Sequence, residues 1–211
     1  MRIVLASSNA GKLAEMREIL AGSRVELIAQ GELGIADADE TASTFVENAL
    51  LKARHAARLS GLPALGDDSG LCVDALGGAP GLYSARYAGA HGDATANIAK
   101  LLGALRDVPD GQRGAHFHCT IVLLEHADDP APLIAEGRWH GRILHAPRGR
   151  MGFGYDPVFF DPELNAGAAE LDAGVKNGVS HRGKALARLR NLLLAPSTAR
   201  APRDQDEAGT P

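Results

Sequence analysis

The segment from Thr44 to Ser60 constrains the fold most, because its pattern is that of one long amphipathic helix. Thr44 and Glu47 have the spacing of a capping box at a helix start, and Gly61 follows as a helix-ending residue. Small and apolar residues form a single stripe at helical spacing: Val46, Ala49, Leu50, Ala53 and Ala57. A helix of this kind must bury that stripe against another layer of structure.

Short apolar runs on both sides of this helix predict strands. They cover residues 2–6, 25–29, 116–124 and 133–144, and a turn-rich segment joins the last two. Further helices are predicted at three places: one that carries Leu13, Met16 and Leu20, one that follows Asp93 and reaches Leu105, and one from near Ser180 to Leu193. Strands and helices interleave at both ends of the chain around a hairpin region, which indicates an α/β fold with a mixed sheet.

Composition excludes several classes of protein. The 211 residues carry 22 Lys and Arg against 26 Asp and Glu, a net charge of −4, which argues against a protein that coats nucleic acid. Length and a hydrophobic content of 45% predict one folded domain over 1–194, whereas 195–211 lacks periodicity and is predicted to be a disordered tail. Two cysteines are too few for a disulfide scaffold, and no segment approaches the ~20 apolar residues of a membrane span. These features predict a cytoplasmic protein without a membrane partner.

A polar loop joins the first predicted strand to the next helix, and it consists of Ser7, Ser8, Asn9, Ala10, Gly11 and Lys12. A helix N-terminus offers free N–H groups and a partial positive charge, so phosphate can bind there, and Lys12 would add a full charge. The Walker A pattern is absent, because Ala6 and Leu13 stand where that motif needs Gly and Ser or Thr. An ordinary strand-to-helix turn, capped by Ser8 or Asn9, explains the same residues.

Two adjacent carboxylates, Asp67 and Asp68, lie between apolar runs in the segment 66–70. At the end of a strand they would suit magnesium, which prefers oxygen ligands. Successive strand residues point to opposite faces, so only one of the two would face a given site. A turn in which these carboxylates and Ser69 bond to their own backbone explains the segment equally well.

A further polar set lies around the start of the long helix. Asn48 and Lys52 are four residues apart and share a face that differs from the apolar stripe. A lysine in such a place is more often solvated, and Glu40, which precedes the helix, is equally typical of a plain loop.

Aromatic and basic residues near the end of the chain form two more candidate sites. Glycines surround Phe153 and Tyr155 in the segment 149–157, where an aromatic ring can serve as a platform for a flat base. A glycine-rich hairpin explains that segment as well. The last helix is predicted to carry His181 and Arg182 in its first turn, where cations oppose the helix dipole unless an anion or electron-rich ligand is bound.

Taken in order, six segments resemble the non-canonical purine NTP pyrophosphatases, also called inosine/xanthosine triphosphate pyrophosphatases. The segments are 8–12, 44–49, 67–71, 78–86, 152–157 and 180–182. The resemblance covers about residues 2–194. It implies an elongated mixed α/β fold with two lobes around a nucleotide cleft. It also implies a homodimeric, magnesium-dependent hydrolase that cleaves ITP, dITP and XTP to the monophosphate and pyrophosphate.

The resemblance further implies roles for individual residues. The loop from Ser7 to Lys12 would bind the triphosphate with help from Lys52. Glu40 and Asp68 would hold magnesium. Asp68 would also activate water, with Ser69 beside it as a substrate contact. The base pocket would be lined by Phe153 as the stacking platform and by Gly154, Tyr155, Asp156, Lys176, His181 and Arg182.

The residue types fit this chemistry without the resemblance. Phosphoryl transfer to water depends on positioned positive charge, which Lys12, Lys52 and magnesium would supply. Hypoxanthine and xanthine present an oxygen at the 6-position, whereas adenine presents an amino group. A pocket of donors such as Lys176, His181 and Arg182 would therefore be left unpaired by adenine.

Two other interpretations remain open. A Maf-like pyrophosphatase for pyrimidine or modified nucleotides would share the loop-helix phosphate site, although Phe153 and the segment 180–182 favour a purine. A nucleotide-binding module without hydrolysis is the second, and the presence of Lys12, Asp67 and Asp68 argues against it.

Overall fold

The computed structural model describes residues 1–23, 25–90 and 92–194, and the predicted tail at 195–211 lies outside these residues. The strands are β1 (Arg2–Leu5), β2 (Glu26–Ala29), β3 (Ala64–Val73), β4 (Gly114–Leu124), β5 (Leu133–Ile143), β6 (Phe159–Asp161) and β7 (Ala166–Gly167). The helices are α1 (Ala10–Ile19), α2 (Phe45–Ser60), α3 (Ala94–Ala104), α4 (Ala173–Val179) and α5 (His181–Leu194). None of the helices in the described parts of the chain is long and apolar enough to cross a membrane.

The strands form one mixed sheet in the order β2-β1-β3-β4-β5-β6-β7. β1 runs parallel to both β2 and β3, and the remaining pairs are antiparallel. α2 packs on β3 and β4, and α5 packs on β4 and β5. The predicted α/β class with a mixed sheet and flanking helices is confirmed.

The long helix α2 has the ends that its sequence predicts. The Thr44 hydroxyl accepts a hydrogen bond from the backbone N–H of Glu47 at 3.3 Å and donates one to the Glu47 carboxylate at 2.7 Å. Gly61 ends the helix in the left-handed region at φ 67°. A polar cap and a glycine stop of this kind are local signals, which is why the sequence alone locates both ends.

The segment 66–70 corrects the sequence analysis, because it lies in the middle of β3 and is neither a strand end nor a turn. Its glycines allow close approach of neighbouring elements. A Cβ on Gly66 would overlap the carbonyl oxygen of Ala49 in α2, and one on Gly70 would overlap the carbonyl oxygen of Gly81. Glycines often mark turns in a sequence. Here the two glycines instead allow the backbones of α2 and of the segment at Gly81 to pack directly against β3.

α4 was not predicted, since its seven residues include two glycines and show no apolar stripe. It forms because it packs against α5, where a Cβ on Gly183 would overlap the carbonyl oxygen of Asn177. All the strands and helices that the sequence predicted are present, with ends shifted by a few residues at most.

Two apolar clusters occupy opposite ends of one sheet face, and the candidate site lies between them. Along β3 this face presents Leu65 to the first cluster and Leu71 to the second, with Asp67 and Ser69 between them. Asp67 and Ser69 therefore lie between the two apolar clusters on this face of β3.

We expect Gly66→Ala to destabilise the protein by about 1–3 kcal/mol, because the new methyl group has no space against α2. Gly103→Ala in α3 is the matched control. A Cβ on Gly103 would meet no neighbouring atom within 4 Å, so this change should be neutral or stabilising by about 0.5–1 kcal/mol. Urea unfolding of the three proteins measures both changes, and equal stabilities would contradict the close approach at Gly66.

Candidate functional site

Asp67 is the centre of the first half of the site. Its carboxylate is fully buried and contacts the ammonium of Lys12, the Nε of Arg182 at 3.1 Å and the thiol of Cys119 at 3.1 Å. Burial acts to raise the pKa of Asp67, but the charges of Arg182 and Lys12 outweigh it and hold that pKa well below its usual range. Asp67 is therefore an anion that fixes one cation from α1 and one from α5.

Glu15 extends this network to the predicted base pocket. Its carboxylate contacts the guanidinium of Arg182 and accepts a hydrogen bond from Lys176 at 2.8 Å. Lys176 also donates to Asp156 at 2.7 Å, and Asp156 accepts the backbone N–H of Phe153 at 2.8 Å. The structure thus brings together four of the predicted base-pocket residues and adds Glu15, which the sequence analysis missed.

Phe153 lies directly against the predicted phosphate loop. Its ring atoms are 3.0–3.2 Å from the position that a Cβ on Gly11 would occupy. The ammonium of Lys176 lies 4.9 Å from the ring centroid, and the guanidinium of Arg182 lies 5.8 Å from it. The half-buried ring therefore joins the loop after β1 to the charged network, and any side chain at position 11 would displace it.

His181 is buried beside these charges, and its ring stacks on that of Phe117 at 4.8 Å. Burial and the neighbouring Arg182 hold the pKa of His181 well below its usual value, so the imidazole is neutral at pH 7. Among the described residues, its Nδ1 is the one buried side-chain nitrogen or oxygen without a hydrogen-bond partner. An unpaired buried atom of this kind indicates a position where a ligand can form a bond.

The second half of the site lies on the opposite face of β3, around Asp68. Lys52 of α2 donates to Asp68 at 2.8 Å and to Glu40 at 2.9 Å. Asn48 donates to the other oxygen of Asp68 at 3.4 Å, and Arg86 donates to the other oxygen of Glu40 at 3.2 Å. Lys52 is buried and paired, which corrects the expectation that it is solvated.

The pKa values on this face follow from burial and from these pairs. Burial raises the pKa of Asp68, although Lys52 and Lys12 oppose the shift. Burial acts in the same direction on Glu40, but there Lys52 and Arg86 outweigh it and lower the pKa. Burial therefore decides the direction of the pKa shift at Asp68, and the neighbouring cations decide it at Glu40.

The loop before α1 has the geometry of a capped helix start. Asn9 is the cap, since its side-chain oxygen accepts the backbone N–H of Lys12 at 3.0 Å. Ser7 accepts the backbone N–H of Asn9 at 3.2 Å, and Ser8 donates to Asp37 at 2.8 Å. The sequence allows Ser8 or Asn9 as the cap, and in the structure the cap is Asn9. Ser8 instead bonds to Asp37 in another loop.

Ser69 and Tyr155 are both committed to internal hydrogen bonds. Ser69 donates to Asp67 at 3.2 Å and accepts from Arg182 at 3.0 Å. Tyr155 is buried, and its hydroxyl donates to the carbonyl oxygen of Ser84 at 2.9 Å. These two side chains therefore contribute to the site by fixing the positions of its other residues.

Glu40 and Asp68 form the donor set that suits magnesium. Both are carboxylates, and both contact the same ammonium of Lys52. Within the described residues, no group of three or more His, Cys, Asp and Glu could hold a metal ion. Magnesium is usually bound by one or two carboxylates together with substrate phosphates and water, so this pair fits it.

Glu15 and Arg86 complete the site without having been predicted as site residues, whereas Asn48 and Asp67 were candidates without an assigned role. The signals of Glu15 and Arg86 in the sequence are weak. Glu15 follows Lys12 at helical spacing, and Arg86 ends a segment that the resemblance includes, but a single charged residue on a helix is usually a solvated one.

Comparison with known proteins gives consistent results. Residues 3–192 match the model of the Ham1 family. A dITP/XTP pyrophosphatase of Xylella fastidiosa is 61% identical over 192 residues, which cover 91% of this chain and 96% of the relative. A dITP/XTP pyrophosphatase of Vibrio cholerae is 55% identical over 188 residues, which cover 89% and 94%. The structure of a HAM1 protein from Coxiella burnetii matches with a TM-score of 0.84 at 53% identity, covering 92% of this chain and 98% of that chain.

We expect Asp67→Asn to destabilise the protein by about 3–5 kcal/mol, because it leaves the buried charges of Arg182 and Lys12 without their common anion. Glu32→Gln is a suitable control. Glu32 pairs with Arg17 on the surface, so its loss should cost no more than about 1 kcal/mol. Denaturant unfolding at neutral pH checks both values, and a small loss in the Asp67 variant would remove Asp67 from the centre of the network.

Proposed function

The chain belongs to the Ham1 family, and we propose that it hydrolyses the non-canonical purine nucleoside triphosphates ITP, dITP and XTP to the monophosphate and pyrophosphate. The observation that carries this proposal is the position of Asp68. It lies buried between Lys52 and Asn48, next to Glu40, on the strand whose other face holds Lys12. A carboxylate, two lysines and a helix N-terminus around one strand are the groups that phosphoryl transfer to water requires.

The phosphates would bind at the loop from Ser7 to Lys12. The start of α1 contributes free N–H groups and its partial positive charge, and Lys12 contributes a full charge beside it. Lys52 would add a second cation from the opposite face of β3. These groups orient the triphosphate and neutralise charge that develops on the leaving pyrophosphate.

Asp68 would orient the attacking water and accept its proton. Burial raises the pKa of this carboxyl, which makes it a better base than an exposed aspartate. Lys52, bonded to it at 2.8 Å, keeps it ionised at neutral pH. The amide of Asn48 limits its rotation through the second oxygen.

We propose Mg²⁺ as the cofactor, held by Glu40 and Asp68. The described ion pairs of the site are balanced: Asp67, Glu15 and Asp156 face three cations on one side of β3, and Asp68 and Glu40 face two on the other. A triphosphate therefore adds negative charge that the protein alone does not compensate. When bound, magnesium supplies that compensation and polarises the phosphate oxygens.

The base would stack on Phe153 and be selected by its 6-oxygen. Lys176 and Arg182 are held by carboxylates, so they donate from fixed positions. The Nδ1 of the neutral His181 is buried and has no hydrogen-bond partner, so it is a further polar atom that the base would engage. Adenine, with an amino group in place of the oxygen, would leave donors in this pocket unsatisfied.

We further propose a cytoplasmic homodimer, as the resemblance implies. Both cysteines are free thiols, which is typical of proteins in a reducing compartment. Analytical ultracentrifugation of the purified chain tests the dimer.

Pyrophosphate release from ITP, XTP, dITP, GTP, ATP, dTTP and UTP, measured in parallel with Mg²⁺, tests the function. We expect strong release from the first three and little from ATP and GTP. Asp68→Asn should abolish turnover and leave the fold intact by circular dichroism. A preference for dTTP or UTP would indicate a Maf-like activity instead, and tight binding without release would indicate a binding module.

Phe153→Ala should raise KM for ITP by about 10-fold or more, because base stacking on an aromatic ring contributes about 1–3 kcal/mol. We expect a smaller change in kcat, since the phosphates are held by other residues. Phe45→Ala, which removes a ring that contacts His118 in a tilted arrangement away from the proposed base pocket, is the control. An unchanged KM in the Phe153 variant would mean that the base binds elsewhere.

A further inference from the structure

We propose that Asn48 is a positioning residue that fixes Asp68 and the loop of Glu40 at the spacing required for the metal ion. The inference rests on the proposed magnesium site and adds to it a residue that contacts neither substrate nor metal. It is carried by the two hydrogen bonds of one buried amide.

Asn48 connects the two candidate metal ligands. Its side-chain oxygen accepts the backbone N–H of Ala42 at 3.0 Å, and Ala42 follows Glu40 by two residues. Its side-chain nitrogen donates to Asp68 at 3.4 Å. Only 2% of Asn48 is exposed, so water does not compete for either bond. The amide therefore spans the distance between the loop and β3.

The chemistry of an amide suits this place. It offers one acceptor and one donor group on the same rigid plane, and here the acceptor meets an N–H while the donor meets a carboxylate. The reversed orientation would bring oxygen against oxygen and nitrogen against N–H. Lys52, one turn later on α2, contacts Glu40 and Asp68 through a rotatable ammonium, which attracts both carboxylates but does not orient them.

The helix itself does not need this side chain. Thr44 already caps the start of α2, and the backbone N–H of Asn48 bonds to the carbonyl oxygen of Thr44 at 3.1 Å. Asparagine is also a poor helix former. Its presence in the first turn is explained by the contacts that it makes outside the helix.

Binding of Mn²⁺ to the protein alone, followed by electron paramagnetic resonance, tests the proposal against a matched control. We expect Asn48→Ala to weaken Mn²⁺ binding by about 10-fold, as is typical when a residue that orients metal ligands is lost. Thr44→Ala weakens the same turn of α2 but leaves the amide in place. It should lower the melting temperature and leave Mn²⁺ binding unchanged.

Kinetics give a second readout. In Asn48→Ala the Mg²⁺ concentration for half-maximal activity should rise about 10-fold, whereas KM for ITP at saturating Mg²⁺ should stay within about twofold. If both variants change metal dependence equally, or if neither does, Asn48 has a structural role only and the proposal is wrong. If the wild-type protein neither binds Mn²⁺ nor needs Mg²⁺, the proposed magnesium site itself fails.

A residue exchange keeps the contact testable even if Asn48→Ala does not fold. Asn48→Asp places two carboxylates against each other and should lower the melting temperature, whereas Asn48→Asp with Asp68→Asn restores one carboxylate and one amide. Measured without metal, the melting temperature of the double variant should be at least about 3 °C higher than the value expected from adding the shifts of the two single variants. Additive effects would show that the two side chains are not coupled and would overturn the proposal, whatever the metal dependence.

Discussion

Two consecutive buried aspartates on β3 set the requirement that the rest of the structure meets. Asp67 and Asp68 point to opposite faces of the sheet because they are neighbours in one strand. A buried carboxylate without a partner is strongly unfavourable, so each face needs cations close to the strand. Lys12 and Arg182 meet this need on one face, and Lys52 meets it on the other. The packing of α1, α2 and α5 against the sheet delivers these side chains.

One short segment, Gly81–Arg86, connects the two ends of the site. It reaches β3 because Gly70 has no side chain. The Ser84 carbonyl oxygen accepts the hydroxyl of Tyr155 beside the proposed base pocket, and Arg86 donates to Glu40, a proposed metal ligand. The two ends of the proposed site are thus fixed to the same backbone, so their spacing is set by covalent structure as well as by packing.

The sequence predicted what local patterns can express. The ends of α2, the start of α5 near Ser180 and the opposite orientation of Asp67 and Asp68 all follow from residue type and period, and the structure confirms them. The continuity of β3 could not be predicted, because its glycines are explained only by the close approach of α2 and of the segment at Gly81. The short helix α4 could not be predicted because it has no apolar stripe and forms by packing against α5. The same limit applies to single residues such as Glu15, whose partners Lys176 and Arg182 are more than 150 positions away.

Stability alone does not explain why the protein has a buried charged network. Replacing a buried ion pair with apolar side chains is often neutral or stabilising by about 1–4 kcal/mol. The site nevertheless keeps every cation paired with a carboxylate, from Lys12 through Arg182 to Lys176. The pairs hold these long side chains in single positions before a ligand arrives, so less conformational entropy is lost on binding. Removing one carboxylate therefore costs more than its hydrogen bond, because the freed cation is left buried and must find a new position.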